Sequence, residues 1–334
     1  MTWSPWHDRL HRHLLQRPHL LPQGQTLLLA VSGGQDSMAL LGLARDLASR
    51  YHWSLQLWHG NHGWHPQAQR CCDELESWCQ KQGLDVLIET AEPTTVANEA
   101  NARAWRYRCL ETAATRLQAV VCTAHTATDR SETLLLQLAR GTDLRGLCSL
   151  REQRPINNNQ PAGVQLARPM LLFQRKETLE ICQSLQLPIW SDPTNHSAAF
   201  ARNRIRNEVM PILETLYPGC DRRMADLSER LSQTQRIQDN LVDRCLDANA
   251  TSMQHTRELM RNSSLELRRV LVHRWMERQG APALTARDLD QLCRRLGPRQ
   301  PPGTTDLPKG WQIKWTKNCL KLNSPQKLSV KEQQ

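Results

Sequence analysis

Several things are missing from this chain of 334 residues, and each absence removes a class of function. No apolar run reaches the ~18 residues that a membrane-spanning helix needs. The first 25 residues hold Trp3, Trp6, His7, Arg9, His11, Arg12 and Arg17 but no apolar core, so they read as a short amphipathic lead-in helix and not as a signal peptide. The 11 cysteines are odd in number, scattered, and never spaced Cys-x-x-Cys. That argues for reduced thiols in a cytoplasmic protein, packed as small apolar side chains, and against a disulfide framework or a zinc site. No Gly-Lys pair occurs, which excludes a Walker A loop, and there is no Gly-x-Gly-x-x-Gly fingerprint either.

What is present describes a soluble globular chain. Hydrophobic residues make up 39% and charged residues 23%, enough apolar surface for folded cores. The length suits about two domains of ~150 residues. The net charge is +10, and it is unevenly spread. Residues 1–100 carry 7 basic against 10 acidic side chains, residues 101–220 carry 15 against 10, and residues 221–334 carry 21 against 13. The basic excess is mostly arginine, which suits phosphate by its bidentate geometry. A basic C-terminal region reads either as a solvated surface or as a nucleic-acid footprint.

The chain is organised around Ala30-Val31-Ser32-Gly33-Gly34-Gln35-Asp36-Ser37-Met38. An apolar run, Thr26 to Val31, precedes it and reads as a buried strand. Met38, Leu40, Leu41, Leu43, Leu47 and Ala48 follow at helical spacing to Tyr51. A strand, a turn of two glycines and a helix start together make an anion site from backbone N–H groups, with Ser32 and Ser37 adding hydroxyls. The plainer alternative is an ordinary strand-to-helix turn with Asp36 or Ser37 near the cap.

Strand and helix signals then alternate. Strands are expected at Trp53–Trp58, Leu84–Ile88 and Ala119–Thr123, and helices up to Gln82, over about Val96–Leu117 and over about Asp129–Arg140. His59 to His65 reads as a polar turn. This alternation predicts an α/β fold, a parallel sheet with helices on both faces. Its ligands belong beyond the carboxyl ends of the strands, where Ser32–Ser37, His59–Gly63 and Thr123–Asp129 converge. Gln153–Gly163 has no periodicity and reads as a loop. Order resumes at Arg168, with a helix over Gln174–Leu185. Pro211, Pro218 and Gly219 mark a boundary between a catalytic domain over 1–215 and a smaller, mainly helical domain over 220–324. Within the latter, helices are expected over 221 to about 250, Leu265–Gln279 and Thr285–Leu296. A terminal hairpin is expected from Trp311–Trp315 and Cys319–Leu322. Residues 325–334 read as a frayed tail.

Ser-Gly-Gly-x-Asp-Ser resembles the pyrophosphate loop of the ATP pyrophosphatases, which split ATP between the α and β phosphates. Further segments narrow the likeness. They are His59–Gly63, Ala102–Tyr107, His125–Thr133, Arg140–Leu147, Asp192–Asn195 and Phe200–Arg206. Together they resemble the tRNA(Ile)-lysidine synthases over about residues 20–215, and more weakly beyond. The resemblance implies an adenine nucleotide α-hydrolase-like fold and a ligase. Such an enzyme adenylates the wobble cytidine of an isoleucine tRNA with a CAU anticodon at its 2-oxygen, using ATP and Mg²⁺. Free L-lysine then displaces AMP. The partners implied are tRNA and lysine with no membrane, and a homodimer stays open.

Carried over residue by residue, the resemblance makes Ser32, Gly33, Gly34, Gln35, Asp36 and Ser37 the nucleotide site, with Asp36 a candidate Mg²⁺ ligand. Asp36, His125, Asp129, Glu132 and Arg103 become the catalytic candidates. His125 suits a base for the lysine amine, whose ordinary pKa is about 10.4. Asp129 and Glu132 share a helix face and suit the cationic lysine. Arg106, His62, Arg202 and Arg206 are candidate contacts to substrate or tRNA. Plainer readings stand beside these: a capping box for Asp129, a buried hydrogen-bonded histidine for His125, surface ion pairs for the arginines, and a loop residue without a role for His62. The chain departs from the family pattern at Thr126 and Thr128, where His and Asp are usual. A tRNA thiolation enzyme of the same superfamily and a non-catalytic tRNA-binding module are the rival readings.

Overall fold

The computed structural model describes residues 3–63, 68–96, 98–148, 150–157, 160, 162–190, 201–249 and 253–325. The motif residues Asp192–Asn195 and Phe200, the end of the turn at His65 and the tail beyond Pro325 lie outside the described residues.

The chain forms two units, residues 1–232 and 233–334. In the first, helix α1 (Pro5–Gln16) leads into β1 (Thr26–Ala30), α2 (Gln35–Tyr51), β2 (Ser54–Asn61), α3 (Ala68–Lys81), β3 (Val86–Thr90), α4 (Glu99–Leu117), β4 (Ala119–Cys122) and α5 (Ala127–Ala139). After the short α6 (Leu144–Leu147) come β5 (Gln153–Pro155), β6 (Gln165–Ala167) and α7 (Arg175–Ser184). Then follow α8 (Ala201–Arg204), a π-helical turn over Ile205–Val209, α9 (Met210–Leu216) and the 29-residue α10 (Cys220–Ala248).

The six strands run in the order β3-β2-β1-β4-β6-β5, parallel except for β5. Alternation along β1 assigns its two faces. Leu27 and Leu29 pack with Met38, Leu41 and Phe173 on one side, and Leu28 packs with Val121, Trp58 and Leu110 on the other. From β1 the chain winds outward through β2 to β3, then returns to place β4 on the other flank of β1. The order therefore reverses between β1 and β4, and a crevice opens beyond their carboxyl ends.

Two expectations need correction. The turn expected from His59 is strand: β2 runs to Asn61 because His59 and Asn61 are buried against the sheet and not left to solvent. The patternless loop at Gln153–Gly163 begins with β5, a three-residue edge strand too short to show a period.

In the second unit, α11 (Met253–Asn262), α12 (Leu265–Arg278) and α13 (Ala286–Arg295) precede β7 (Gly303–Leu307), β8 (Trp311–Trp315) and β9 (Leu320–Asn323). The expected hairpin, β8 with β9, is joined on its other side by β7 to make a three-stranded antiparallel sheet. The division between the units falls inside α10.

This small core buries two arginines. Arg257 donates to the carbonyls of Leu296 at 2.6 Å and Thr316 at 3.1 Å. Arg268 donates to those of Met260, Arg261, Ser263 and Cys293 at 2.6 to 3.3 Å. Helix ends leave such carbonyls without partners and carry partial negative charge, so a guanidinium satisfies them without a carboxylate. Arg268→Met should lower the unfolding free energy by about 3 kcal/mol in urea titrations followed by tryptophan fluorescence, since it strands several buried acceptors at once. An unchanged midpoint would mean that water replaces the guanidinium.

Candidate active site

The glycine turn sits at the carboxyl end of β1. Gly33 has φ +85°, and a Cβ there would stand 3.2 Å from the Trp190 ring, so both backbone and space demand glycine. The Trp190 amide donates to the Gly33 carbonyl at 2.9 Å. Gly34 caps α2 with no side-chain hydrogen bond. Inside the turn the Ser32 amide donates to the Ser37 hydroxyl at 3.1 Å, and that hydroxyl donates to the Gly34 carbonyl at 2.9 Å. The result is a rigid cradle with α2 pointing its positive end outward.

A cavity of about 440 Å³ opens in front of it. Its walls include Ser32, Gly34, Asp36, Ser37, His62, Arg106, Tyr107, His125, Asp129, Arg175, Trp190, Arg202 and Arg206. Residues from seven separate stretches thus meet at the crevice beyond β1 and β4.

Asp36 is not free. One oxygen takes the Arg175 guanidinium at 2.9 Å and the other takes the Thr178 hydroxyl at 2.5 Å. Burial pushes the Asp36 carboxyl above its ordinary value, and Arg175 opposes that shift. Gln35 turns its side chain away, donating to the Arg175 carbonyl at 2.7 Å and the Thr178 hydroxyl at 3.1 Å. Of the expected nucleotide residues, Gly33 and Gln35 therefore support the wall and do not face the cavity.

Asp129 and Glu132 form a closed quartet with Arg202 and Arg206. Arg202 reaches Asp129 and Glu132 at 2.9 Å each. Arg206 reaches Asp129 at 3.2 Å and Glu132 at 2.5 Å. Asp129 also completes a capping box, accepting from the Thr126 amide at 2.7 Å. Against burial, Arg202 and its other cationic and amide neighbours hold its carboxyl well below the usual range. Glu132 is wholly buried and does not line the cavity. Both carboxylates, expected to suit the cationic lysine, are already paired with arginines, because charges this deep need partners.

His125 lines the cavity, its Nδ1 hydrogen-bonded to the Thr123 hydroxyl at 2.9 Å. Burial and the nearby Arg168 hold its pKa well below the ordinary value, with Asp129 opposing, so the ring is neutral at pH 7. Arg106 faces the cavity, and its buried Nε has no hydrogen-bond partner among the described residues. Arg103, expected in the catalytic set, lies off the cavity with its guanidinium 4.8 Å above the Tyr107 ring. Tyr107 lines the wall with Arg154 5.2 Å from its ring centre. Burial pushes its phenol up, but Arg103, Arg168 and Arg154 bring it below its usual value. His62 packs edge-on to Trp105 at 5.1 Å. His59 is structural: its Nδ1–H donates to the Val31 carbonyl at 2.8 Å, which leaves Nε2 to accept from the Cys72 thiol at 3.2 Å. Burial raises that thiol to about 11, so the proton stays on sulfur.

Three contributors escaped the sequence reading. Arg175, Thr178 and Asp221 carry no motif and reach the site only through packing. Thr128, where the resemblance implies an acid, donates to the Asp221 carboxylate at 2.8 Å and accepts from the Arg175 amide at 3.2 Å. Asp221 also takes the Ser131 hydroxyl.

A PP-loop domain model matches residues 7–213, and a TilS substrate binding domain model matches residues 257–320. The tRNA(Ile)-lysidine synthase of Parasynechococcus marenigrum strain WH8102 is 51% identical, with 97% of this chain and 96% of that protein aligned. The chain belongs to the tRNA(Ile)-lysidine synthase family. A second tRNA(Ile)-lysidine synthase, from Prochlorococcus marinus strain SARG, is 42% identical over 96% of each chain. Among solved structures, a U34-tRNA thiolase (NcsA) from Methanococcus maripaludis superposes with a TM-score of 0.57 over 68% of this chain and 78% of its own. At 18% identity that is a likeness of fold alone. The thiolation and binding-module readings give way to lysidine synthase membership.

The buried histidines make a pH signature. His59 and His125 both have lowered pKa values, from an ordinary 6.5. Above pH 6.5 they are neutral folded or unfolded and contribute no pH dependence. Below it the unfolded chain takes protons that the folded chain refuses, so stability falls by up to about 1.4 kcal/mol per pH unit for each histidine. Urea unfolding between pH 7 and 5 should show this slope, and His59→Gln with His125→Gln should flatten it. An equal slope in the double variant would place the effect in other groups.

Proposed function

We propose that this chain ligates free L-lysine to carbon 2 of the wobble cytidine of an isoleucine tRNA with a CAU anticodon, giving lysidine, AMP and pyrophosphate. One observation carries this reading: Ser32, Gly34 and Ser37 of the glycine turn, the neutral His125, Arg106 with its partnerless nitrogen, and Asp129, Arg202 and Arg206 of the quartet all line one cavity.

ATP fits the cradle as a substrate. The Ser32 and Ser37 hydroxyls and the first-turn amides of α2 meet the β and γ phosphates, where charge gathers as pyrophosphate departs. The cytidine 2-oxygen attacks the α phosphorus, and the bond to the β-phosphate oxygen breaks. Arg106, with its open Nε, holds a phosphate oxygen of ATP or of the tRNA. Asp36 is the residue that would hold Mg²⁺, and the ion would supply charge neutralisation for the departing pyrophosphate.

In the second step the lysine ε-nitrogen bonds to carbon 2 and the carbon–oxygen bond to AMP breaks. One proton leaves the amine. His125, uncharged and at the cavity wall, is the group suited to take it. The quartet suits the other end of lysine: Arg202 and Arg206 meet its carboxylate and Asp129 its α-ammonium. A zwitterion brings both charges, so it can join the quartet without leaving an excess. The basic residues of 221–334 grip the tRNA through its phosphates. ATP, tRNA and free lysine meet in the cytoplasm, which is where the enzyme acts.

Incubation with ATP, labelled lysine and the tRNA, followed by digestion, should yield a lysine-modified cytidine. Pyrophosphate release without lysine incorporation would sink the proposal. Asp36→Ala should slow pyrophosphate release by at least about a hundredfold, as for loss of one electrostatic contact to a transition state. Charge reversal at the exposed Arg287, Arg294 and Arg299 should raise KM for tRNA and flatten its salt dependence, with the ATP affinity unchanged.

A further inference from the structure

Arg175 has no assigned part in the reaction, yet it is the guanidinium in contact with the cradle. It opens α7, and its backbone is held on both sides: its amide donates to Thr128 and its carbonyl accepts from Gln35 and Thr178. Only the side chain is at liberty. About a third of that side chain is exposed, and it lines the cavity beside Ser32, Gly34 and Asp36. Its contact with Asp36 is a single one, NH1 to Oδ2 at 2.9 Å, and not the two-pronged pairing that arginine and carboxylate form when they are meant to stay together. The other oxygen, Oδ1, belongs to Thr178, whose side chain is wholly buried.

Asp36 therefore has one oxygen held by a buried hydroxyl and one covered by a single contact from a partly exposed guanidinium. A carboxylate largely withdrawn from water needs a positive partner at all times. A guanidinium and a divalent ion cannot both sit on Oδ2. The cradle must also accept a triphosphate, which a bare Asp36 would repel.

We propose that Arg175 is an exchangeable counter-ion for Asp36. In the nucleotide-free site it neutralises Oδ2. When ATP arrives with its divalent ion, Arg175 gives up that oxygen and turns to the β- or γ-phosphate oxygens in the cavity that it lines with Ser32 and Gly34. The exchange keeps Asp36 paired in both states and adds a phosphate contact only when nucleotide is bound. This rests on the reading of the cradle as the triphosphate site.

The test separates this from a structural role. Mn²⁺ binding to the full chain without nucleotide is followed by electron paramagnetic resonance, and metal-free ATP binding in EDTA by calorimetry. Arg175→Ala should bind Mn²⁺ about tenfold or more tightly than the unmodified protein, and adding Asp36→Asn should erase the gain. The same variant should bind metal-free ATP about tenfold more weakly, with Arg175→Lys recovering part of the loss. A folded Arg175→Ala protein with unchanged Mn²⁺ affinity would overturn the exchange, as would unchanged ATP affinity. A fall in melting temperature together with weaker binding of both ligands would also overturn it, by making Arg175 structural. If the unmodified protein bound no ATP at all, the proposed function would fail, and the Mn²⁺ titration would still decide whether Arg175 shields Asp36.

Discussion

A carboxylate taken out of water has to be met by a cation or by hydrogen-bond donors, and this requirement shapes every part of the cavity. Asp36 is met by Arg175 and Thr178. Asp129 and Glu132 are met by Arg202 and Arg206. Asp221 is met by the hydroxyls of Thr128 and Ser131. In each case the partner comes from a distant part of the sequence, so pairing the acids also ties the cavity walls together. Arginine serves this purpose well, because one guanidinium can hold two carboxylates in fixed directions.

The sheet supplies the place and the helices supply the rigidity. Reversal of strand order between β1 and β4 brings the glycine turn and the start of α5 to one crevice. Helix α7 is then fastened to α2. The Cys182 thiol donates to the Gln35 carbonyl at 3.3 Å, and Gly42 leaves room for Leu185 and Leu187, where a Cβ would stand 2.6 Å from Leu187. Such close approach makes the two helix starts a single support. The glycine turn is braced from the opposite side by Trp190.

Thr128, where the resemblance implies an acid, has such a group beside it. A carboxylate does stand at that point, but Asp221 brings it from the start of α10. Thr128 bridges it to the Arg175 amide. The hydroxyl can donate and accept at once, which an ionised acid cannot do, and so it links α5, α7 and α10.

Much of this protein was legible in the order of its residues. The glycine turn, the alternation of strands with helices and the basic drift toward the C-terminus are local or cumulative signals, carried by neighbouring residues. The arginine residues at 202 and 206 were visible too, but their partners were not. Spacing of three along α5 says that Asp129 and Glu132 share a face, and it does not say what covers that face. His59 read as a loop residue because Gly60 and Gly63 flank it, whereas pairing with β3 and burial against Cys72 make it strand. Arg175, Thr178 and Asp221 carry no motif, and only folding gives them a place at the site. The sequence by itself determined the glycine turn and the family, since both depend on contiguous residues. Tertiary structure alone decided which charges are spent on one another and which remain for substrate, because that is settled by residues far apart in the chain being buried side by side.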